Sequence, residues 1–182
     1  MRLKWEKFRR SETTTGYLAR MTDSRPSFLR TTADHPHFRA FVDQLNAYLA
    51  PINGADHAFY DQHSQTDSIP YALVAYQQEV PVACGALRPV DAATVEVKRM
   101  FVPPAQRGRG MGSFLLRELE RWATELGYQR VVLETGNYML DAVALYRKNG
   151  YVEIECYPPY ENAERSVCFG KVLTGTGYSR NG

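Results

Sequence analysis

Residues 106–112 read QRGRGMG, which places three glycines and two arginines in seven positions. The segment before them, TVEVKRMFV (94–102), has the alternation of a β-strand. The segment after them, SFLLRELERWATELG (113–127), repeats leucine at helical spacing. Glycine weakens both structures because it loses the most backbone freedom on folding. A strand, a glycine-rich turn and a helix in this order therefore indicate that something must approach the bare backbone at the turn.

The turn is suited to binding phosphate. The first N–H groups of a helix have no partner within the helix, and the helix dipole adds partial positive charge there. Arg107 and Arg109 add cationic donors. A Walker loop would continue with Lys-Ser or Lys-Thr, but Ser113 and Phe114 follow the last glycine, and the third glycine of a Rossmann fingerprint is replaced by Ser113. A flexible basic turn without a ligand is the remaining alternative.

The rest of the chain alternates strand-like and helix-like segments. Strands are predicted at 27–32, 69–77, 80–90, 94–102, 130–135, 151–157 and 165–173. Helices are predicted at 35–50, with Pro51 as the stop, at 113–127 and at 139–150. We expect one α/β domain over residues 25–173 with a mixed sheet, because helices alternate with strands in only part of the chain. Residues 1–24 are expected to form an N-terminal extension, and residues 174–182 a flexible tail.

Composition excludes several function classes. The chain has 182 residues, 44% of them hydrophobic, which suits one ordinary globular domain. A net charge of +2 indicates no nucleic-acid or membrane partner, and no apolar run is long enough to span a membrane. The basic start MRLKWEKFRR (1–10) lacks the apolar core of a secretion signal. Three cysteines without CxxC spacing favour a reducing, cytoplasmic compartment over a disulfide framework, and no metal site is expected.

Two motifs together carry a resemblance to a known family. The glycine turn reads R-x-x-G-x-G over Arg107, Gly110 and Gly112, and AVALYRKNGY follows at 142–151. In this order they resemble the GNAT superfamily of acyl-coenzyme-A-dependent N-acyltransferases, over about residues 25–173. The segments EVKRMFV, LETG and SVCFGK further resemble a subset of bacterial GNAT enzymes that are mostly assigned by sequence only. The resemblance implies a mixed α/β sheet that is splayed at its centre, and acetyl-CoA as co-substrate.

The resemblance also implies where coenzyme A binds. The main chain of Met100, Phe101 and Val102 would pair with the pantetheine arm, in a gap between this strand and strand 130–135. A backbone N–H at the gap would polarise the thioester carbonyl. The pyrophosphate would be held by the backbone of Arg107, Gly108, Arg109, Gly110, Met111, Gly112 and Ser113.

Three side chains are candidate catalytic residues. Tyr146 matches the family's usual general acid, although from the residues alone a core tyrosine with a partnered hydroxyl is the favoured interpretation. Glu96 and Glu134 lie on the two strands of the gap, and either could serve as general base through a water. Glu96 shares a strand face with Lys98, so a structural ion pair is its alternative and Glu134 is favoured. Met139 stands where the family frequently has asparagine.

Two hypotheses of function follow. The first is an N-acetyltransferase that transfers acetyl from acetyl-CoA to an amine in a ternary complex; the second is a non-catalytic acyl-CoA-binding or sensing module. The acceptor is open between small-molecule and peptide amines, and a homodimer is open as the assembly. The aromatic turn YPPY (157–160) either walls the acceptor pocket or caps the sheet.

Overall fold

A seven-stranded mixed sheet organises the part of the chain that this computed structural model describes, residues 25–54 and 69–174. Its strands are β1 (Ser27–Thr31), β2 (Tyr71–Gln77), β3 (Val80–Pro89), β4 (Thr94–Phe101), β5 (Arg130–Gly136), β6 (Val152–Ile154) and β7 (Ser166–Val172). The helices are α1 (Pro36–Asn53), α2 (Met111–Glu125) and α3 (Leu140–Lys148). The predicted extension and residues 175–182 of the predicted tail lie outside the described residues. None of the described helices is long and apolar enough to cross a membrane.

The sheet opens at its centre. Its strand order is β1-β2-β3-β4-β5-β7-β6, and every neighbouring pair is antiparallel except β4 and β5. These two parallel strands pair only over residues 94–96 and 130–132, although β4 continues to Phe101 and β5 to Gly136. The strands therefore diverge beyond Glu96 and Val132 and leave a gap. This confirms the predicted mixed sheet with a splayed centre.

Strand alternation separates two layers of core. On one face, Val97 of β4 and Leu133 of β5 pack with α2 and α3. On the other face, α1 buries Phe38 and Phe41 against β2, β3 and the end of β4. Successive side chains of a strand point to opposite faces. The charged residues near the gap, Glu96 and Lys98 of β4 and Glu134 of β5, therefore lie on the second face.

The end of α1 differs from the sequence prediction. Pro51 was expected to stop this helix, but α1 runs to Asn53 with Pro51 inside it. Proline removes the hydrogen bond that its own nitrogen would donate, and its ring crowds the carbonyl four residues earlier, but the residues after it can still donate. The N–H groups that follow it bond as usual, and the N–H of Gly54 donates to the carbonyl of Ala50. The expected stop is therefore wrong by about one turn.

Cys156 and Cys168 form a disulfide, which corrects the expectation of unpaired cysteines. Cys168 on β7 is the register partner of Ile154 on β6, and Cys156 follows Ile154 by two residues. The pairing of these strands brings the two Cα atoms to 5.2 Å. The spacing of the cysteines in the sequence does not reveal which strands are neighbours. The third cysteine, Cys84, is fully buried and free.

Reducing this disulfide is expected to lower the free energy of unfolding by about 3 kcal/mol, because it closes a short loop in the unfolded chain. The check is urea unfolding of the wild type with and without dithiothreitol. A Cys156→Ser/Cys168→Ser variant is the control, since it should match the reduced wild type in both buffers. Equal free energies for the oxidised and reduced wild type would contradict the expectation.

Candidate active site

The glycine turn joins the end of β4 to the start of α2. Gly108 and Gly110 both have φ of +79°, a left-handed conformation that glycine adopts without steric cost. Gly110 is the N-cap of α2, and the N–H of Phe114 donates to its carbonyl. The N–H groups of residues 111–113 lie in the first helical turn, where the helix offers them no acceptor. These donors, together with the helix dipole, fit an anionic group such as a pyrophosphate.

Gly112 is also needed for the packing of α2 on α3, which the sequence did not reveal. A Cβ atom at this position would lie 3.0 Å from Cδ2 of Leu145, on α3. Its absence therefore lets the first turn of α2 pack closely on α3. Next to it, Ser113 Oγ accepts a hydrogen bond from Asn149 Nδ2 at 2.9 Å. The packing brings the glycine turn beside the helix that carries Tyr146.

The two arginines of the turn differ in their surroundings. Arg107 donates from Nε to the carbonyl of Val102 at 3.0 Å and from Nη1 to the Tyr48 hydroxyl at 3.3 Å. Its guanidinium lies over the Tyr48 ring, 4.9 Å from the centroid. Arg107 therefore ties the end of β4 to α1. Arg109 is exposed.

The β4 edge of the gap is shaped by a bulge. The register with β3 moves from Lys98 opposite Ala86 to Phe101 opposite Cys84, so β4 carries one additional residue. Arg99, in this stretch, has φ of +52°, which is uncommon for a residue with a side chain. Beyond Glu96 the described register gives β4 no pairing with β5. The edge that includes residues 100 and 101 therefore borders the gap.

Glu96 is enclosed by hydrogen-bond donors. Its side chain is fully buried, and Oε2 accepts from both Nε and Nη2 of Arg88. Oε1 accepts from the Tyr157 hydroxyl at 3.1 Å and lies 3.5 Å from Nζ of Lys98. The ion pair between Glu96 and Lys98 that strand alternation suggested is therefore present. Both carboxylate oxygens of Glu96 already have partners.

Glu134 lies across the gap on β5 and is half-buried. Ser166 Oγ donates to its Oε1. Burial raises the pKa of Glu134, whereas the Ser166 hydrogen bond and the positive charge of Lys98 lower it. The negative charge of Glu96 adds to the rise. Glu134 therefore has fewer described donors than Glu96, and burial makes its carboxylate a stronger proton acceptor.

Tyr146 approaches the gap from the opposite face of the sheet. It is 8% exposed, and its ring lies 6.0 Å, centroid to centroid, from the rings of Tyr151 and Phe169. Burial raises its pKa above the usual value for tyrosine, and the charge of Glu134 acts in the same direction. The hydroxyl of Tyr146 therefore keeps its proton at neutral pH.

The YPPY turn closes the charged cluster from above the second face. Tyr157 donates to Glu96, and the Tyr160 hydroxyl accepts from Nζ of Lys98 at 2.6 Å. Sequence reasoning missed these contacts, as well as Arg88 and Ser166. Arg88 is the register partner of Glu96 and Ser166 lies on the neighbour of β5. Only a correct prediction of strand pairing would have found Arg88 and Ser166.

Comparison with known proteins agrees with this geometry. Residues 28–151 match the model of the Acetyltransferase (GNAT) family. This chain belongs to the GNAT acetyltransferase family. It is 35% identical over 135 residues to the IAA acetyltransferase of Azospirillum brasilense, and the alignment covers 72% of this chain and 88% of that protein.

Solved structures share the fold. A Klebsiella pneumoniae protein assigned to the acyl-CoA N-acyltransferases superposes with a TM-score of 0.69 at 25% identity, over 84% of this chain and 100% of that one. A GNAT acetyltransferase from Elizabethkingia anophelis, solved with acetyl-CoA bound, gives a TM-score of 0.60 at 19% identity over the same shares. The predicted family and fold are thus confirmed.

As a GNAT enzyme, the chain is an acyl-CoA-dependent N-acetyltransferase with acetyl-CoA as its co-substrate. The anion-binding first turn of α2 and the gap between β4 and β5 fit that co-substrate in chemistry. The roles of individual residues stay predictions.

Proposed function

We propose that this GNAT enzyme transfers acetyl directly from acetyl-CoA to an amine while both are bound. The observation that carries the proposal is the opening of the sheet beyond Glu96 and Val132. The glycine turn follows one strand of this gap, and Glu134 and Tyr146 approach it from opposite faces. An anion site, a proton acceptor and a proton donor thus surround one opening.

The cofactor-binding assignments follow from unpaired main chain. The backbone of residues 107–113 binds the pyrophosphate, chiefly through the first-turn N–H groups of α2. The exposed edge of β4 at Met100 and Phe101 pairs with the pantetheine arm as an added strand would. Val102 contributes less through its carbonyl, since Arg107 already donates to that oxygen. Acetyl-CoA supplies the thioester, and the coenzyme A thiolate that it releases is a moderate leaving group.

Glu134 acts as the general base. Its carboxylate takes a proton from the acceptor ammonium, directly or through a water. The neutral amine then attacks the thioester carbonyl, so that a C–N bond forms and the C–S bond breaks. Tyr146 gives its phenolic proton to the leaving thiolate, and the second proton that the nitrogen loses on becoming an amide returns through water to the phenolate, which restores Tyr146. Glu96 is the weaker candidate because Arg88, Tyr157 and Lys98 occupy its carboxylate.

A Glu134→Gln variant is expected to lose activity in a pH-dependent way. Below the pKa of the acceptor amine, we expect a loss of at least about tenfold in kcat/KM, because deprotonation of the ammonium loses its base. The loss should shrink as pH rises and the amine becomes neutral by itself. The measurement is kcat/KM against pH, with Glu96→Gln for comparison. Full activity and an unchanged profile in Glu134→Gln would assign the base elsewhere.

The acceptor is tested by a screen. Free thiol release from acetyl-CoA is followed with a panel of small amines, amino acids, polyamines and peptides with free N-termini. IAA is included in the panel because the Azospirillum brasilense relative is named IAA acetyltransferase. Acetylation of at least one amine, confirmed by mass spectrometry, is the expected result. Tight binding of coenzyme A without any acceptor-dependent thiol release would contradict the proposal.

Location and assembly stay predictions. A cytoplasmic location was expected partly from the cysteines, and the Cys156–Cys168 disulfide removes that part of the argument. Assembly as a homodimer is checked by light scattering of the purified enzyme.

A further inference from the structure

Lys98 is a buried ammonium at the gap to which the proposed mechanism gives no role. It is 8% exposed, and its Nζ lies 2.6 Å from the Tyr160 hydroxyl and 3.5 Å from Oε1 of Glu96. Its Nζ also lies 5.2 Å from the centroid of the Tyr160 ring. Burying a charged amine is costly unless partners compensate for the lost water. Burial lowers the pKa of Lys98, whereas the negative charges of Glu96 and Glu134 act to raise it. The burial of this lysine beside the proposed reaction site therefore needs a functional explanation.

The register of β4 and β5 relates the position of Lys98 to that of Glu134. Glu96 and Val132 are the last paired residues of these parallel strands. Lys98 and Glu134 each lie two residues further along, so they occupy equivalent positions on the same face where the gap begins. The side chain of Lys98 thus lies on the same face of the sheet as both carboxylates of the cluster.

The cluster contains two cations, Arg88 and Lys98, and two carboxylates, Glu96 and Glu134. Arg88 donates twice to Glu96. Nζ of Lys98 lies 3.5 Å from Oε1 of Glu96, and the charges of both Glu96 and Glu134 act on it. Because the site is buried, the interaction between these charges is stronger than it would be in water.

We propose that Lys98 is a positioning residue for acetyl transfer, whose fixed ammonium keeps Glu134 ionised and ready to accept a proton. The proposal rests on the proposed function of Glu134 as base. Burial of the carboxyl works against its ionisation, and the charge of Lys98 offsets that effect. Glu96 and Tyr160 hold the ammonium in place, so the offset does not depend on a mobile side chain.

Other groups also face Glu134, and each differs from Lys98 in its effect. Tyr146, Tyr157 and Tyr160 have pKa values raised by burial, so they stay neutral near pH 7. Ser166 is an uncharged donor, and Glu96 opposes ionisation. Lys98 is thus the cation that acts on this carboxyl among the described residues. The groups that face Glu134 are Lys98 and Glu96 from β4, Ser166 from β7, Tyr146 from α3, and Tyr157 and Tyr160 from the YPPY turn.

The direct test is the titration of Glu134 in the free enzyme, by NMR with ¹³C-labelled glutamate. The Glu134 signal is assigned by its loss in Glu134→Gln. Lys98→Gln removes the charge but can still bond to Tyr160 and Glu96, and Lys98→Met is a second variant of similar length. We expect both to raise the pKa of Glu134 by roughly one to three. Lys98→Arg, which keeps the charge, should restore much of the wild-type value.

The pH–rate profile is the second readout. The acid limb of the kcat/KM profile should move to higher pH together with the pKa of Glu134. At a fixed pH on this limb, each pH unit of movement corresponds to a loss of about tenfold in rate. Lys148→Met removes an exposed lysine from α3 and is the matched control for net charge. It should leave the titration of Glu134 unchanged.

Two outcomes would overturn the proposal and are distinguishable. If the titration of Glu134 is unmoved in folded Lys98→Gln and Lys98→Met, Lys98 has a structural role only. If the titration moves but the acid limb does not, Glu134 is not the base, and the catalytic part of the proposal fails with that assignment. The titration needs neither acetyl-CoA nor an acceptor, so it stands whether or not the acceptor is identified.

Discussion

Replacing Tyr146 by phenylalanine is expected to lower kcat by about a hundredfold to ten-thousandfold, the usual contribution of a general acid. In the proposed mechanism, attack of the amine on the thioester expels a thiolate, and the phenol of Tyr146 would protonate it as the bond breaks. The buried hydroxyl keeps its proton near neutral pH because its pKa is raised. A loss at the lower end is compatible with the mechanism, since a thiol is more acidic than an alcohol and leaves more readily unaided.

The affinity for acetyl-CoA should change little in Tyr146→Phe, because the proposal assigns the phosphate contacts to the glycine turn. Single-turnover transfer and coenzyme A affinity are measured together on one good acceptor. Tyr151→Phe is the matched control, since it removes a hydroxyl from a buried tyrosine whose ring contacts that of Tyr146. Unchanged turnover in Tyr146→Phe would leave Tyr146 as a core residue and remove it from the mechanism.

Replacing Gly110 by valine is expected to weaken coenzyme A binding by more than about a hundredfold, since the backbone donors of a helix N-terminus form the anion site. Gly110 has φ of +79°, and a β-branched residue is strongly disfavoured in that conformation. The turn must rearrange to accept valine. The first-turn N–H groups of α2 then no longer keep their position relative to the gap.

Gly127→Val is the control for backbone strain. Gly127 follows the other end of α2 with φ of +92°, and a Cβ there would meet no atom within 4 Å. Both variants should lose comparable stability, about 1–3 kcal/mol, but only Gly110→Val should lose affinity. Calorimetry supplies the affinities and thermal unfolding the stabilities. Wild-type affinity in a folded Gly110→Val variant would refute the phosphate-binding role of the turn.

The positions of helices and strands follow from local sequence. Alternation over TVEVKRMFV and leucine spacing over 113–127 each depend on residues within one segment, so they are readable without the fold. The glycine turn between them indicated an anion site for the same reason. Its order relative to ALYRKNGY then pointed to the family. Pro51 was misread because a proline near a helix end leaves the following N–H groups free to bond.

Contacts between segments were decided by the tertiary structure. Which glutamate has fewer hydrogen-bond donors on its carboxylate depends on Arg88 and Tyr157, because these residues reach Glu96 from β3 and from the YPPY turn. The disulfide depends on β6 and β7 being neighbours, and Gly112 on the approach of α3. Local periodicity is carried by residues close in sequence, whereas the partner of a buried charge is set by strand register and helix packing between distant segments. The sequence alone therefore determined the fold class and predicted an anion site at the glycine turn, and the tertiary structure determined the charge balance around Glu134.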